Sequence, residues 1–579
     1  MNDTCSQNNY DIAKAEADKV DAHIIEVLQS GRSFRVEAGA GSGKTYSLNK
    51  VLEWIAANKL AEYRQKRQTV ICITFTNAAV DVIKNRLPND PAIVPSTIHS
   101  FAWNAIKQYQ SFLINACKND PNFASLITAD TTITEVTYNL GHRSIADGIL
   151  SLYHNDVLNL FCYLLKNAKF RRIFANKYPL ILIDEYQDTS KAIIDSFIEY
   201  FISRNTGPQF AFFGDAWQTI YGSKVCGLID HQNLEIIKKG ANFRSAPKIV
   251  ELLNKLRPDL PQKSAINDFE GEVIAITCDD YPGLRQTSGI FKNDLPTKDF
   301  QNRLDTFIKK IKAKTPETDT LKTLMITHKV LATQQGYAEL FDILGNKFKE
   351  EDDPFLLFFK DTVEPAYKAL TTNNMQLLFD TLNIKRYPIT QKAEKLKWKN
   401  LQNELNEARK KKAINVFEVV HQSHLIPIPP QLENLYSQYC HNPDELYSSK
   451  KSISSFLNLG YSQFISAIHF LYPDSIFSTE HGVKGEEYDN VIFVISKGWY
   501  NYQFDVYAPM ITKKRPIPLK QKEAFERNRN LFYVCCSRPK KRLIFFISIP
   551  VSSEFRAFLN ELIGSENIYS YDKYLKLNP

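Results

Sequence analysis

Residues 33–45 read SFRVEAGAGSGKT, and the reading of this stretch decides the fold. SFRVEA (33–38) has the composition of a strand, and residues 46–58 carry apolar residues at helical spacing. Between them, Ala38-Gly39-Ala40-Gly41-Ser42-Gly43-Lys44-Thr45 matches a phosphate-binding loop, with Ala where its first Gly normally stands. Glycines let backbone N–H groups turn inward as an anion nest at a helix N-terminus. Lys44 is then expected to reach the β- and γ-phosphates of a nucleotide, and the Thr45 hydroxyl to hold Mg²⁺. The chain has 21 Gly, where average usage gives about 40 in this length, so a cluster of them carries information.

Working outward, residues 11–30 have helical apolar spacing, and VICITF (70–75) reads as a buried strand followed by a helix over 78–87. Strand, helix, strand, helix implies a parallel sheet covered on both faces. Residues 101–177 read as mostly helical and aromatic-rich, and strands return at LILI (180–183) and FAFF (210–213). A second α/β unit begins near Gly271, with strands at 272–276 and 324–327, a helical stretch over 345–470, and strands at 491–495 and 543–547. The run Arg409-Lys410-Lys411-Lys412 closes a charged helix (391–412). It reads first as a solvated helix end, and second as a phosphate-contacting patch.

The 579 residues are 44% hydrophobic and 23% charged, which excludes a mostly disordered chain. A net charge of +8 permits a polyanionic partner without demanding one. Nine cysteines form no CxxC pair and no zinc spacing, so a reducing, cytoplasmic setting is expected, and Cys535-Cys536 reads as two small buried residues. The polar start MNDTCSQNNYD does not read as a signal peptide, and no apolar run is long enough to span a membrane, so a soluble protein is expected.

LILI is followed by Asp184-Glu185-Tyr186-Gln187-Asp188. Parallel sheets place catalytic groups at strand exits. Asp184 is expected to complete the Mg²⁺ shell and Glu185 to polarise water.

Together with the loop at 38–45, these residues resemble the superfamily 1 DNA helicases of the UvrD/Rep/PcrA type. The resemblance lies in an ordered series: AGAGSGKT (38–45), TFTNAAVDVIKNRL (74–87), STIHSF (96–101), LIDEYQD (182–188), FFGDAWQTIYG (212–222), NFRS (242–245), TEHGVKGEEYDNV (479–491) and RNLFYVCCSRPKKRL (529–543). It implies an α/β chain of two RecA-like parallel-sheet lobes, each with a mainly helical insertion. Residues 1–100 and 178–250 would form the first lobe and 101–177 its insertion. Residues 251–344 and 471–579 would form the second lobe, with 345–470 as a reduced insertion.

The same resemblance implies ATP and Mg²⁺ as cofactors, with nucleotide contacts from Gly39, Ala40, Gly41, Ser42, Gly43, Lys44, Thr45, Phe243 (adenine) and Glu487 (ribose). Gln218 would position water, and Arg244 and Arg538 would reach the γ-phosphate. Lys484 lies in the same segment as His481. Single-stranded DNA would run over Phe75, Thr76, Asn77, His99, Tyr221, Thr479 and His481. The implied activity is ATP-dependent, 3′→5′ translocation and duplex opening at junctions, in repair or anti-phage defence.

Three departures from the family pattern stand out. No Gln lies at the adenine-reading distance before Lys44, where His23 stands instead; Trp217 replaces a common acid; and Ser223 replaces a base-stacking tryptophan. They keep open a second reading, a nucleotide-gated DNA-end sensor that licenses a partner nuclease. A GTPase is disfavoured because no NKxD follows the loop, and a fused nuclease because the residues after Arg538 hold no carboxylate–lysine constellation.

Overall fold

A computed structural model describes residues 8–577 apart from 75, 87–89, 125, 129–130, 139–142, 221–223, 290, 326–327, 350–351, 383–391, 449–450, 473–474, 480–484, 498–501 and 514–515. The chain divides into two compact units. The first comprises Met1–Ile274, Phe504–Leu543 and Ser553–Asn567, and the second Ala275–Gln503, Ile544–Ser552 and Ile568–Pro579.

In the first unit, strands β1 (Phe34–Ala38), β2 (Val70–Thr74), β3 (Ile93–Thr97), β4 (Leu180–Asp184), β5 (Gln209–Gly214) and β6 (Glu235–Lys239) form one sheet. Its order is β3-β2-β4-β5-β1-β6, and every neighbouring pair is parallel. Helices α1 (Asn9–Gln29) and α2 (Lys44–Asn58) cover one face, packing Ile24, Val27, Leu48 and Leu52 on Phe34, Val36, Leu182 and Phe213. An aromatic cluster that includes Phe101, Phe161, Phe174 and Phe197 covers the other, against Ile181, Ile183, Phe210 and Phe212. The period-2 split of one strand between two cores explains why LILI reads as unbroken apolar sequence. Each such buried side chain contributes roughly 1.5–3 kcal/mol.

The stretch 101–177 is not helical throughout. Glu135–Tyr138, Ser144–Ala146 and Ile149–Leu152 form a small sheet. The last two pair antiparallel around Asp147-Gly148, both at positive φ (52° and 76°), the backbone that a tight hairpin turn requires.

The second unit holds most of a sheet of order β9-β8-β10-β11-β7-β12, from β7 (Glu272–Thr277), β8 (Leu321–Met325), β9 (Phe477–Thr479), β10 (Tyr488–Ile495), β11 (Pro539–Ile547) and β12 (Ile568–Ser570). Its helical stretch has a separate core that includes Phe355, Phe359, Phe417 and Phe464. There the charged helix ends at Ala408, and Arg409 is not a solvated cap. Its guanidinium makes two bonds to Glu364 (2.9 and 2.7 Å) and lies 3.9 Å from the centroid of the Tyr367 ring. Glu364 also accepts the Tyr461 hydroxyl at 2.9 Å. A half-buried carboxylate is stabilised by such a partner. The described cysteines are free thiols, with Cys535 and Cys536 buried at a helix end. Among the described residues no helix is long and apolar enough to cross a membrane.

Candidate nucleotide site

The loop 39–43 leaves the C-terminal end of β1 and enters α2 through Gly41 and Gly43, at φ +73° and +74°. A Cβ on Gly41 would stand 2.6 Å from Asn242 Oδ1, so conformation and space both require glycine. Two amides brace the loop from outside: Asn242 Nδ2 and Gln262 Nε2 each donate to the Ala40 carbonyl at 2.9 Å. The Phe243 N–H donates to the Gly41 carbonyl at 2.8 Å. With those carbonyls satisfied outward, the N–H groups at the start of α2 remain as the anion-facing side of the turn. Ser42 Oγ is buried and has no hydrogen-bond partner among the described residues. The loop fits a polyphosphate. A threonine hydroxyl (Thr45) and the Asp184 carboxylate are the hard oxygen donors that Mg²⁺ takes.

Lys44 Nζ lies 2.5 Å from Glu185 Oε1. Burial alone would depress its pKa, but Glu185 and Asp184 outweigh burial and raise it. Asp184 is 9% exposed at the end of β4, and burial pushes its carboxyl up to about 6 against the pull of Lys44. Glu185 has φ 50° and ψ 44°, a left-handed conformation uncommon outside glycine. This twist turns its side chain back toward Lys44. Gln187, which the sequence reading passed over, bonds Glu185 Oε2 through its amide nitrogen, while its oxygen accepts the Asp215 N–H at 3.1 Å.

On the neighbouring strand exit, Gln218 Nε2 donates to Asp215 Oδ2 at 2.8 Å, and Gln218 Oε1 accepts Arg538 Nη2 at 3.3 Å. Arg538 is 1% exposed and also donates to the Val534 carbonyl and Ser537 Oγ. Burial, and then the nearby Arg244, lower its pKa to about 10. Arg244 Nη1 donates to the Ser537 carbonyl at 3.2 Å. Lys44, Asp184, Glu185, Gln218, Arg244 and Arg538 all belong to the first unit. Phe243 is half-buried, edge-on to Tyr10 at 6.2 Å, and its ring comes 4.0 Å from where a Gly43 Cβ would sit. His23 pairs with Glu26 and Glu235.

Of the expected DNA contacts, Thr76 is exposed and its hydroxyl caps the following helix by accepting the Ala79 N–H at 3.2 Å. Asn77 is exposed on the first turn. His99 stacks on His154 with ring centroids 3.4 Å apart, and burial, then His154, hold its pKa down near 4. In the second unit, Thr479 is only 3% exposed at the end of β9, and Glu487 is exposed. Phe75, Tyr221, Ser223, His481 and Lys484 lie outside the described residues.

A glycine loop between a buried parallel strand and a helix, facing an acidic strand exit across the sheet, defines a P-loop NTPase. A family profile described as an AAA domain matches residues 22–224. Along most of its length the chain is similar to Gabija protein GajB of Bacillus cereus (strain HuB5-5). They are 25% identical over 701 aligned residues, covering 95% of this chain and 98% of that protein. It is also similar to the mitochondrial ATP-dependent DNA helicase HMI1 of Saccharomyces cerevisiae, at 26% identity over 43% of this chain and 41% of the relative. The ATP-dependent DNA helicase Rep of Buchnera aphidicola subsp. Schizaphis graminum is 28% identical over 38% of this chain and 41% of its own length. The chain thus spans about two fifths of these two helicases. Together with the motif order, these matches make the chain similar to the superfamily 1, UvrD-like helicases.

Proposed function

We propose that this protein is an ATP hydrolase that drives translocation on single-stranded DNA and opens duplex junctions, moving 3′→5′. The observation that carries the reading is the pairing of Lys44 with Glu185 and of Gln218 with Arg538 at two neighbouring strand exits, which Gln187 links. On ATP binding, Lys44 exchanges the Glu185 carboxylate for phosphate oxygens. Glu185 is thereby released to accept a proton from the attacking water. Gln218 orients that water, and Arg538 and Arg244 stabilise charge on the equatorial oxygens. Thr45 and Asp184 would hold Mg²⁺, whose chemistry is to neutralise the β- and γ-phosphate charge. Phe243 receives the base, and Glu487 the ribose. Thr76, Asn77 and His99, with Phe75, Tyr221, Thr479 and His481, supply the DNA track.

Defence against phage, rather than housekeeping repair, is the setting we favour. The near end-to-end match to Gabija protein GajB, beside partial matches to the helicases, supports it. A second reading, a nucleotide-gated end sensor acting with a partner nuclease, is favoured by Ser223. That residue removes a stacking platform worth roughly 1–3 kcal/mol per base. Forked-duplex opening, measured beside ATP turnover with and without single-stranded DNA, separates the two. Unwinding supports the motor, whereas DNA-stimulated turnover without strand separation supports the sensor. Turnover that ignores DNA counts against both.

A further inference from the structure

The turn that carries Gln218 rests on a buried charge cluster that the reaction described above does not use. Arg257 is 2% exposed, more than ten positions beyond the NFRS motif. Its Nη1 pairs with Asp215 Oδ1, and its Nη2 lies 2.6 Å from Glu37 Oε1. These two carboxylates hold the turn's backbone. The Ala216 N–H donates to Glu37 Oε1 at 3.1 Å, and the Trp217 N–H to Asp215 Oδ1 at 3.0 Å. Asp215 Oδ2 accepts the Gln218 amide itself.

The same guanidinium lies 5.3 Å from the centroid of the Trp217 ring, and the Arg529 guanidinium lies 4.2 Å from it. Trp217 also packs edge-on against Tyr533 at 5.5 Å. Arg529 donates to Asn530 Oδ1, and Asn530 Nδ2 donates to the Thr219 carbonyl at 3.0 Å. Arg529, Asn530 and Tyr533 belong to the helix Leu519–Cys536, two residues before Arg538. The tryptophan that replaces the family's acid therefore meets two cations over its ring instead of through a carboxylate.

We propose that Arg257 is a positioning residue for hydrolysis. It fixes Asp215 and Glu37, which set the orientation of Gln218, and through Trp217 it joins that turn to the helix that ends beside Arg538. The inference rests on the nucleotide-site reading of Gln218. A fork-shaped guanidinium can bond two carboxylates at once, which an ammonium on a flexible stem does not reproduce.

The test uses the full-length protein with Arg257→Lys, which keeps the buried positive charge so that neither carboxylate is left without a counter-ion. Amide hydrogen exchange is expected to quicken at least about tenfold at residues 216–218 and to stay unchanged in α2. ATP turnover in the presence of oligo(dT) is expected to fall on the order of 10²-fold, with KM for ATP within about twofold. In a Gln218→Ala background the same Arg257→Lys change should cost little more, because the residue it positions is gone. Unchanged exchange at 216–218, or an equal loss of turnover in both backgrounds, overturns the proposal. If the unmodified protein turns over no ATP, the nucleotide reading fails. Hydrogen exchange still decides whether Arg257 positions the turn.

Discussion

The ammonium of Lys44 and the carboxylate of Glu185 meet at 2.5 Å across 141 positions of sequence. One residue opens a helix and the other closes a strand exit in a left-handed backbone conformation. The pair keeps a buried lysine charged and keeps the glutamate turned inward until phosphate oxygens compete for the lysine.

Lys44→Ala is expected to reduce DNA-stimulated phosphate release to background, since it removes the only charge this loop presents to the β/γ-phosphates. Wild-type turnover in the purified mutant would remove the loop from the active site.

Glu185→Gln keeps the shape and loses the basicity. Fluorescent-nucleotide binding should persist while hydrolysis stalls, and DNA should be retained in the presence of ATP. A mutant that no longer binds nucleotide would show Glu185 to be structural.

Arg538→Ala is expected to lower turnover by about 10³-fold or more, the scale of a lost arginine finger, with nucleotide affinity much less affected. The Arg538 contacts to Val534 and Ser537 are local, so Tm is expected to move less than turnover does. A large fall in Tm with normal turnover in the folded fraction would assign Arg538 to packing.

His99 has a folded-state pKa near 4, below the ordinary value of 6.5. Below pH 6.5 the unfolded chain therefore binds more protons at this site, and stability should fall as pH drops from about 6.5 to 4, then level off for this group. Tm against pH for His99→Asn should be flatter than wild type across that window. Parallel curves would place the acid sensitivity elsewhere.

Glu364→Gln leaves the Arg409 guanidinium without its counter-ion beside the second unit's helical core. We expect a loss toward the lower end of the ~3–5 kcal/mol typical of broken buried pairs. Urea unfolding followed in that unit measures it. A change under 1 kcal/mol would mark the pair as a surface contact.

Much of the fold was legible because buried parallel strands write themselves as short apolar runs, as in LILI, and because a tight anion nest requires glycines. β3 was harder to see, since IVPST carries a proline and only two bulky apolar residues. β6, EIIKK, lies at the sheet edge and exposes alternate residues, so it reads as polar. The hairpin at Asp147-Gly148 carries a turn signal, but its flanking strands, SIA and ILSL, are too short to show a clear alternation. Arg257 could not be read at all. Its partner Glu37 is 220 positions away, and nothing local distinguishes it from a helix-terminal surface arginine.

Gln218 and Arg538 are 320 positions apart, and the residues of the second unit's main segment, Ala275–Gln503, are made between them. During synthesis, the ribosome must therefore deliver that entire segment before the first unit can receive the helix Leu519–Cys536. Until then Asp215, Trp217 and Gln218 face a gap in place of Tyr533, Asn530 and Arg538. A nascent chain stalled or cut before residue 519 has its phosphate loop but not the arginine, so premature fragments are expected to hold nucleotide without spending it.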